Sequence, residues 1–327
     1  MDAQYRKERV ALLSVVSNTT LVAMKLIVGI GIGSVSVISE AIHSGVDLIA
    51  AVIALFSVKT SSLPADGKHP FGHGKIENIS GTVEALLIFV AAVWIIWEAI
   101  QKILEPQPVE TVGWGVIVML FSAAANTVVA RMLFKVGKET DSVALIADGW
   151  HLRTDVYTSA GVTVSLAVIW GGELLFPGLH FHWLDPVAAI GVAGLILKAA
   201  WDLTRQSAGG LMDETLPPEE EEEIRRLIRS QLPLVHGFHQ LRTRKAGHFR
   251  FIEVHIQVDG KMYVETAHAL NQDLVRRIKD RFRQATVTVH TEPCNGQCAE
   301  KCLAGCLLTE KDRTRIRQTV AENAETV

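Results

Sequence analysis

The sequence predicts a membrane protein with an all-α domain of six transmembrane helices, followed by a cytoplasmic α+β domain. Apolar residues concentrate before residue 206, they fall into six long segments, and the charge-rich remainder follows helical and alternating patterns. The 49% of hydrophobic residues among 327 is a fraction that soluble proteins also reach, so the distribution carries the prediction. The net charge of −3 gives no indication of a nucleic-acid partner, and we expect none.

The six segments are each long enough to be considered as spanning helices, since a span needs about 20 mainly apolar residues. After the charged stretch Met1–Arg9, the first apolar run is too long for the hydrophobic region of a cleavable signal peptide. Residues 1–206 are therefore assigned to a transmembrane domain. Its segments are Val10–Ile32, Val35–Val58, Ile79–Trp97, Val112–Phe134, Val143–Trp170 and Leu184–Ala200.

Basic residues in the short loops predict the orientation, because cytoplasmic loops carry an excess of Lys and Arg. One side of the membrane has Lys102 in its longest loop. The other side collects Arg6, Lys7, Arg9, Lys59, Lys68, Lys75, Arg131, Lys135 and Lys138. We expect this second side, with both termini, to face the cytoplasm, in a multi-pass protein of the inner membrane.

Residues 207–292 predict an α+β domain in the order αββαβ, with a small sheet that carries helices on one face. Its first helix begins at Pro217-Pro218, because proline and acidic residues favour a helix start. The later elements are a strand near His239–Arg244, a turn at Ala246-Gly247, an alternating strand around Ile252–Val258, a helix at Val264–Phe282 and a strand at Thr286–Thr291. Residues 293–327 form a cysteine-containing tail.

Two apolar segments carry ionisable side chains in mid-span, which is costly in a bilayer and typical of functional sites. His43 and Asp47 lie in the second segment, and His151 and Asp155 lie in the fifth. Residues four apart share one helix face, so each helix offers an imidazole and a carboxylate towards a common point. The alternative is a set of polar contacts between helices, but the repetition of the pattern favours a site.

Two nitrogen and two oxygen ligands suit tetrahedral Zn²⁺. Two carboxylates also cancel the charge of a divalent cation, which lowers the cost of holding it at bilayer depth. Metal and protons compete for these atoms, since metal ligands must be deprotonated. The pattern therefore predicts exchange of a divalent transition metal for protons.

Other polar groups in the membrane segments receive weaker interpretations. Glu40 and Asp148 lie one turn before the two motifs and could support the ligands, but interfacial charges are slightly favoured. Glu84 and Asn126 are interpreted as groups that form hydrogen bonds between helices.

Three stretches of the chain resemble the cation diffusion facilitator family: Ser39–Asp47, His69–Glu77 and Ala147–Asp155. The resemblance extends over about residues 8–292. Members of this family are homodimeric, Y-shaped cation/proton antiporters with six spans and a cytoplasmic domain that resembles a metallochaperone. The resemblance implies that His43, Asp47, His151 and Asp155 form a transport site that opens alternately to each side.

The first ligand of this set bears on the metal. In the iron and zinc efflux branch of the family this position is often Asp, whereas this chain has His43, as zinc-type members do. Imidazole shifts the preference towards Zn²⁺, Co²⁺ or Cd²⁺ and away from Mn²⁺ and Mg²⁺. We expect Zn²⁺ first, with Fe²⁺ as a lesser option.

Two further metal sites are expected outside the spans, and exposed histidines are the alternative for both. Asp66, His69 and His73 follow the second segment, and the resemblance assigns them a second site, which three ligands would leave partly hydrated. The resemblance also implies a binuclear zinc site at the dimer contact, with resident zinc held by His239, His255, His268, His290 and Glu292. Relatives have Asp at the last position.

The resemblance matches Lys75 and Asp213 to a charge pair near the membrane surface, which we interpret as a hinge contact.

All four cysteines lie in the tail, at Cys294, Cys298, Cys302 and Cys306. On one helix this spacing would form a stripe, which cannot wrap four thiolates around one ion, and it is not the CxxC pattern of structural zinc sites. Disulfides are not expected in a tail that follows a cytoplasmic domain. Capture of soft metals and chemically inert thiols remain equal alternatives.

Two other functions are considered beside transport. A membrane metal sensor could signal through the histidine-rich domain, and transport after removal of residues 207–327 would exclude it. An intramembrane metalloenzyme would need an open metal position and a base, but the four ligands already form a closed set. The sequence has no phosphate-binding GxxxxGK[ST] loop, which disfavours drive by ATP. We therefore expect no enzyme activity.

Overall fold

The chain forms two compact units, Met1–Met212 and Asp213–Val327. The computed structural model describes residues 2–32, 35–104, 114–175, 184–296, 298 and 300–324. The predicted boundary at residues 206 and 207 lies inside the last helix of the first unit, which continues to Leu211. The polar residues Arg205 and Gln206 interrupt the apolar pattern without ending the helix.

The described part of the first unit consists of six long helices. They are α1 (Asp2–Ile32), α2 (Val35–Ser61), α3 (Lys75–Leu104), α4 (Trp114–Thr140), α5 (Val143–Leu175) and α6 (Leu184–Leu211). Each predicted segment falls in one of them, although the predicted start at Val112 lies outside the described residues. Helices α2 to α6 end beyond the predicted apolar segments, because a helix can continue its backbone hydrogen bonding through less apolar turns.

Four helices contain a stretch long and apolar enough to cross a membrane, as far as the described residues go. These stretches are Ala3–Gly31, Ala41–Ser61, Lys75–Leu104 and Pro186–Leu211. Helices α4 and α5 have 27 and 33 residues, and both pack in the same bundle. The ligand-bearing helices α2 and α5 pack against each other, and the small residues Ala50, Ala51 and Ala54 of α2 are fully buried. Small side chains allow such a close approach of helices in a membrane.

A buried carboxylate, Glu77, ties one end of the bundle together. It accepts hydrogen bonds from Lys7 Nζ at 3.1 Å, Ser61 Oγ at 2.9 Å and Ser142 Oγ at 2.7 Å. These donors come from α1, α2 and the turn before α5, so one side chain of α3 links four parts of the bundle. The ion pair is buried, with Lys7 and Glu77 side chains 3% and 0% exposed.

The second unit has the predicted αββαβ order, followed by two helices in the tail. Its elements are α7 (Pro218–Arg229), β1 (Gly237–Ala246), β2 (Phe249–Val258), α8 (Val264–Arg281), β3 (Ala285–Pro293), α9 (Glu300–Leu303) and α10 (Glu310–Ala324). The sheet order is β1-β2-β3, with β1 antiparallel and β3 parallel to β2.

The core of this unit lies between the sheet and helices α7 and α8. The alternating residues Ile252, Val254 and Ile256 of β2 face this core, together with Ile228 of α7 and Leu274 of α8. Residues between them on β2 therefore point to the opposite face of the sheet. The predicted fold class, a helical transmembrane domain with a C-terminal α+β domain, is confirmed.

Candidate metal centres

Helices α2 and α5 bring the two predicted histidine–aspartate pairs together inside the bundle. His151 Nε2 lies 3.0 Å from Asp47 Oδ1, and His43 Nε2 lies 3.9 Å from Asp155 Oδ1. One ligand atom each of His43, Asp47 and Asp155 lies within 4.8 Å of the others. The two helices thus contribute carboxylates and imidazoles to one cluster, which we call the intramembrane cluster.

The intramembrane cluster is buried on one side and open on the other. The side chains of Asp47 and His151 are 4% and 7% exposed, whereas those of Asp155 and His43 are 21% and 53% exposed. His151 Nδ1 is buried without a hydrogen-bond partner among the described residues. The cluster therefore combines a buried half, Asp47 and His151, with a more exposed half, Asp155 and His43.

Two further carboxylates lie within the bundle. Asp148, on α5, is completely buried, so the interpretation as an interfacial charge is wrong. The reason is that α5 packs against α2, α3, α4 and α6, which places this turn of the helix inside the bundle. Glu84 is also completely buried, and it accepts a hydrogen bond from Ser80 of its own helix at 2.9 Å. The side chain of Glu40 lies outside the described residues.

The structure also shows polar residues that sequence reasoning missed. Lys25 is buried in α1, and its Nζ donates a hydrogen bond at 2.7 Å to Ser44 Oγ, next to His43 in the chain. The position of this lysine inside the first apolar segment was the feature of the sequence that could have indicated a buried polar contact. The Lys7–Glu77 pair gave no signal, because each residue lies in a charged stretch at the end of a helix.

The loop between α2 and α3 holds Asp66, His69 and His73 in a second cluster, the loop cluster. His69 Nδ1 lies 3.3 Å from Asp66 Oδ1, and His73 Nε2 lies 3.4 Å from Asp66 Oδ2. The backbone N–H groups of His69 and Lys68 donate hydrogen bonds to Asp66 Oδ1, and they lower the pKa of this carboxyl. A carboxylate that stays ionised and two imidazoles fit a metal ion with three protein ligands.

Strand register aligns three histidines across the sheet of the second unit. His239 of β1 pairs with His255 of β2, and His255 pairs with His290 of β3. Glu292 Oε1 lies 2.8 Å from His255 Nδ1 and 3.6 Å from His290 Nε2, and its Oε2 lies 3.3 Å from His239 Nε2. The hydrogen bond from His255 lowers the pKa of Glu292. We call these four residues the sheet cluster.

The sheet cluster lies on the face opposite the core, because β2 points Ile256 into the core and His255 away from it. His268 is exposed on α8, which packs over the core face, so among the described residues it is not brought to the sheet cluster. Within one chain, the sheet therefore gathers four of the five predicted ligands.

The residues of the expected charge pair each have other contacts. Lys75 Nζ donates to the carbonyl of Leu211 at 3.1 Å, and Arg244 Nη1 donates to Asp213 Oδ1 at 3.2 Å. The pairing of Lys75 with Asp213 stays a prediction.

The four cysteines do not form a stripe on one helix, which corrects the geometry expected for a helical tail. Helix α9 contains Cys302 as its one cysteine, and the chain bends at Gly296, whose φ is +71°. All four thiols are free, partly buried and line one pocket. Burial raises the pKa of Cys294, and the neighbouring thiols Cys302, Cys306 and Cys298 raise it further.

Comparisons with known proteins match both units. The sequence profile of the cation efflux transmembrane domain matches residues 11–212, and that of the cation efflux protein cytoplasmic domain matches residues 216–294. An uncharacterized transporter of Synechocystis is 36% identical over 283 residues, which cover 86% of this chain and 89% of the relative. The cation-efflux pump FieF of Yersinia enterocolitica is 31% identical over 295 residues, covering 90% and 95%.

Solved structures match part of the chain. The zinc form of CzrB is 40% identical, with a TM-score of 0.24, and covers 25% of this chain and 92% of that structure. The metal-bound C-terminal domain of the CzcD transporter from Thermotoga maritima is 33% identical, with a TM-score of 0.22, and covers 24% and 94%.

Proposed function

Because the chain belongs to the cation diffusion facilitator family of cation efflux transporters, we propose that it exports a divalent transition metal, Zn²⁺ foremost, in exchange for protons. The metal would be bound by His43, Asp47, His151 and Asp155. The observation that supports this most is the convergence of carboxylates and imidazoles from α2 and α5 inside the bundle. Cd²⁺, Co²⁺ and Fe²⁺ are the lesser candidates.

The hydrogen bond between His151 and Asp47 supports proton exchange. At 3.0 Å, one proton lies between Nε2 and Oδ1, whichever of the two atoms carries it. A metal ion needs the lone pairs of the same atoms, so its binding displaces that proton. When the metal leaves, the buried carboxylate has to regain a counter-charge, and a proton from the other side of the membrane supplies it.

The charge of the donor set supports a divalent cargo. Asp47 and Asp155 together carry −2, so the cluster with a divalent ion bound is neutral. A change from a state open to one side of the membrane to a state open to the other then moves no net charge through the apolar bundle. The imidazoles of His43 and His151 favour borderline transition metals over Mg²⁺ and Mn²⁺. The open end of the cluster at His43 and the closed end at Asp47 fit alternating access.

Purified full-length protein in proteoliposomes tests this proposal. With a pH indicator in the lumen, external Zn²⁺ should enter and make the lumen more alkaline, Co²⁺ and Cd²⁺ should act similarly, and Mg²⁺ should not. His43→Asp should shift the preference towards harder ions. Metal entry without proton movement would exclude antiport, and an unchanged preference in His43→Asp would exclude the argument from the first ligand.

We further propose that the chain works as a homodimer in the inner membrane, with both termini in the cytoplasm. The sheet cluster supports this, because it lies on the face of the sheet that the core helices leave uncovered. Imidazole nitrogens and a carboxylate fit resident Zn²⁺ there, and a second copy could supply the exposed His268 that one chain cannot. Zinc would offset the negative charge of two copies of Glu292.

The mass of the protein in detergent, measured with and without a chelator, tests the dimer. His239→Ala combined with His255→Ala should weaken the dimer when Zn²⁺ is present, whereas Thr288→Ala, an exposed residue of β3, should not. A dimer of unchanged strength in the double variant would exclude a role of the sheet cluster in association.

A further inference from the structure

The tail after β3 is docked onto the second unit by backbone hydrogen bonds. The N–H of Cys294 donates to the carbonyl of Val258 at 2.8 Å as the tail begins. After α9 the chain returns beside β1, where the N–H of Phe238 donates to the carbonyl of Gly305 at 3.0 Å and the N–H of Leu307 donates to that of His236 at 2.9 Å. The cysteines are therefore held against a folded domain.

Glycine makes this docking possible. A Cβ atom at Gly305 would lie 1.7 Å from the carbonyl oxygen of Phe238, a distance no side chain can occupy. At Gly237, which faces Cys306, a Cβ would lie 3.3 Å from the Cα of that cysteine. These two glycines therefore allow the backbones of the tail and of β1 to approach closely where Cys306 pairs with Gly237.

The docked tail brings Cys294, Cys298, Cys302 and Cys306 to one pocket, which Arg313 and Ile316 of α10 complete. Two of the thiols contact the domain directly: Cys302 Sγ lies 3.4 Å from Gln257 Oε1, and Cys306 Sγ lies 3.9 Å from the carbonyl of His236. Although the cysteines are four residues apart, the turn at Gly296 and the end of α9 direct them towards a shared space.

Arg313 is an independent indication that this pocket holds negative charge. Its Nε atom is buried and has no hydrogen-bond partner among the described residues, although it lines the pocket of the thiols. A buried donor without a partner is costly. Four thiolates around a divalent ion carry a net charge of −2, and a guanidinium beside them would offset part of it.

We propose that Cys294, Cys298, Cys302 and Cys306 bind one thiophilic divalent metal ion of the zinc class with four thiolate ligands. Such a closed set of four is typical of structural zinc sites, so this ion is a resident of the tail, distinct from the transported cargo. In the sulfur tetrahedron around Zn²⁺ the sulfur atoms are about 3.8 Å apart, from a Zn–S distance of about 2.3 Å. No three of the described thiols lie within 4.8 Å of one another, so metal binding requires the four cysteines to move closer together.

Co²⁺ titration of full-length, chelator-treated protein tests the proposal, because thiolate-to-Co²⁺ absorption reports this site and not the histidine and carboxylate clusters. The expected result is saturation at about one equivalent of thiolate-bound Co²⁺ per chain, which Zn²⁺ displaces. Absence of the thiolate absorption would overturn the proposal, as would an iron–sulfur chromophore in place of a single metal ion.

Variants provide a second measurement. Cys298→Ser should remove the tetrahedral Co²⁺ spectrum, and Arg313→Gln should weaken binding by about tenfold. Lys311→Gln, an exposed charge on the same helix, should leave binding unchanged. As a readout without substitution, Zn²⁺ should protect all four cysteines of the wild-type chain from alkylation. Alkylation at equal rates with and without Zn²⁺ would overturn the proposal whatever the variants do.

Discussion

His151 Nε2 and Asp47 Oδ1 are 3.0 Å apart, which joins helices α5 and α2 by a buried hydrogen bond within the intramembrane cluster. This contact uses one histidine and one aspartate from different motifs. His43 Nε2 and Asp155 Oδ1 form a second contact of this kind, at 3.9 Å. Each helix therefore contributes one residue to each of the two histidine–aspartate contacts. A small displacement between α2 and α5 would change both distances at once.

Asp47→Asn should reduce metal transport by at least about tenfold. Asparagine preserves the shape and can still bond to His151, but it removes one of the two charges that balance a divalent ion. Transport into proteoliposomes measures the effect. Asp202→Asn, an exposed carboxylate of α6, is the matched control and should transport normally. Wild-type transport by Asp47→Asn would contradict the role of this carboxylate.

Glu77→Ala should destabilise the transmembrane unit by about 3–5 kcal/mol, because it leaves Lys7 as an uncompensated charge in a buried position. Thermal unfolding in detergent measures this change. The control is Glu98→Ala, which removes the exposed pair of Glu98 with Lys102 and should cost at most about 1 kcal/mol. Equal losses of thermal stability in the two variants would exclude burial of the Lys7–Glu77 pair as the cause of the destabilisation.

Gly81→Ala should destabilise the packing of α3 by about 1–3 kcal/mol. A Cβ at this position would lie 2.6 Å from Ser207 Oγ and 2.9 Å from Val143 Cγ1, so the side chains of Ser207 and Val143 would have to shift. Gly191→Ala is the control, since a Cβ there meets nothing within 4 Å. Thermal stability of both variants in detergent checks the prediction, and a stable Gly81→Ala protein would contradict it.

Glu220→Gln should lower the stability of the second unit at neutral pH by on the order of 1 kcal/mol, since Glu220 is partly exposed. Arg250 donates two hydrogen bonds of 2.7 Å to Glu220, and they lower the pKa of this carboxyl below its ordinary value of 4.5. A lowered folded-state pKa contributes stability above pH 4.5, which is lost as the pH falls through that pKa.

The difference between wild type and Glu220→Gln should therefore shrink below pH 4.5. Hydrogen exchange of the strands in the full-length protein, followed from pH 7 to pH 3.5, measures it. Glu222→Gln, in the exposed pair with Arg229, serves as the control and should show a smaller effect at pH 7. A difference that stays constant over the pH range would exclude the ion pair as its cause.

The local parts of the fold could be predicted from the sequence because they depend on short periodic patterns. The spacing of His43 and Asp47 places them on one helical face wherever the helix packs, and the alternation around Ile256 separates the core face of β2 from His255. Pairing across the sheet could not be predicted in the same way, because register depends on which strands are neighbours. That register aligns His239, His255 and His290.

Other features depended on the neighbours of a residue in space. The position of Asp148 in the chain favoured an interfacial charge, but the surrounding helices bury its side chain completely. The cysteines suggested a helical stripe by their spacing, yet the turn at Gly296 and the docking at Gly305 bring them to one pocket. Neither result follows from periodicity, because both require contacts between segments distant in the chain.

By itself, the sequence determined six long apolar helices, two histidine–aspartate pairs and an αββαβ domain, since hydrophobic periodicity and the cost of charge in a bilayer act over a few residues. Only the tertiary structure decided which ligands meet: it faced His151 with Asp47, kept His268 away from the sheet cluster and gathered the cysteines. The physical reason is that side-chain contacts between elements depend on how those elements pack, and packing is a property of the whole fold.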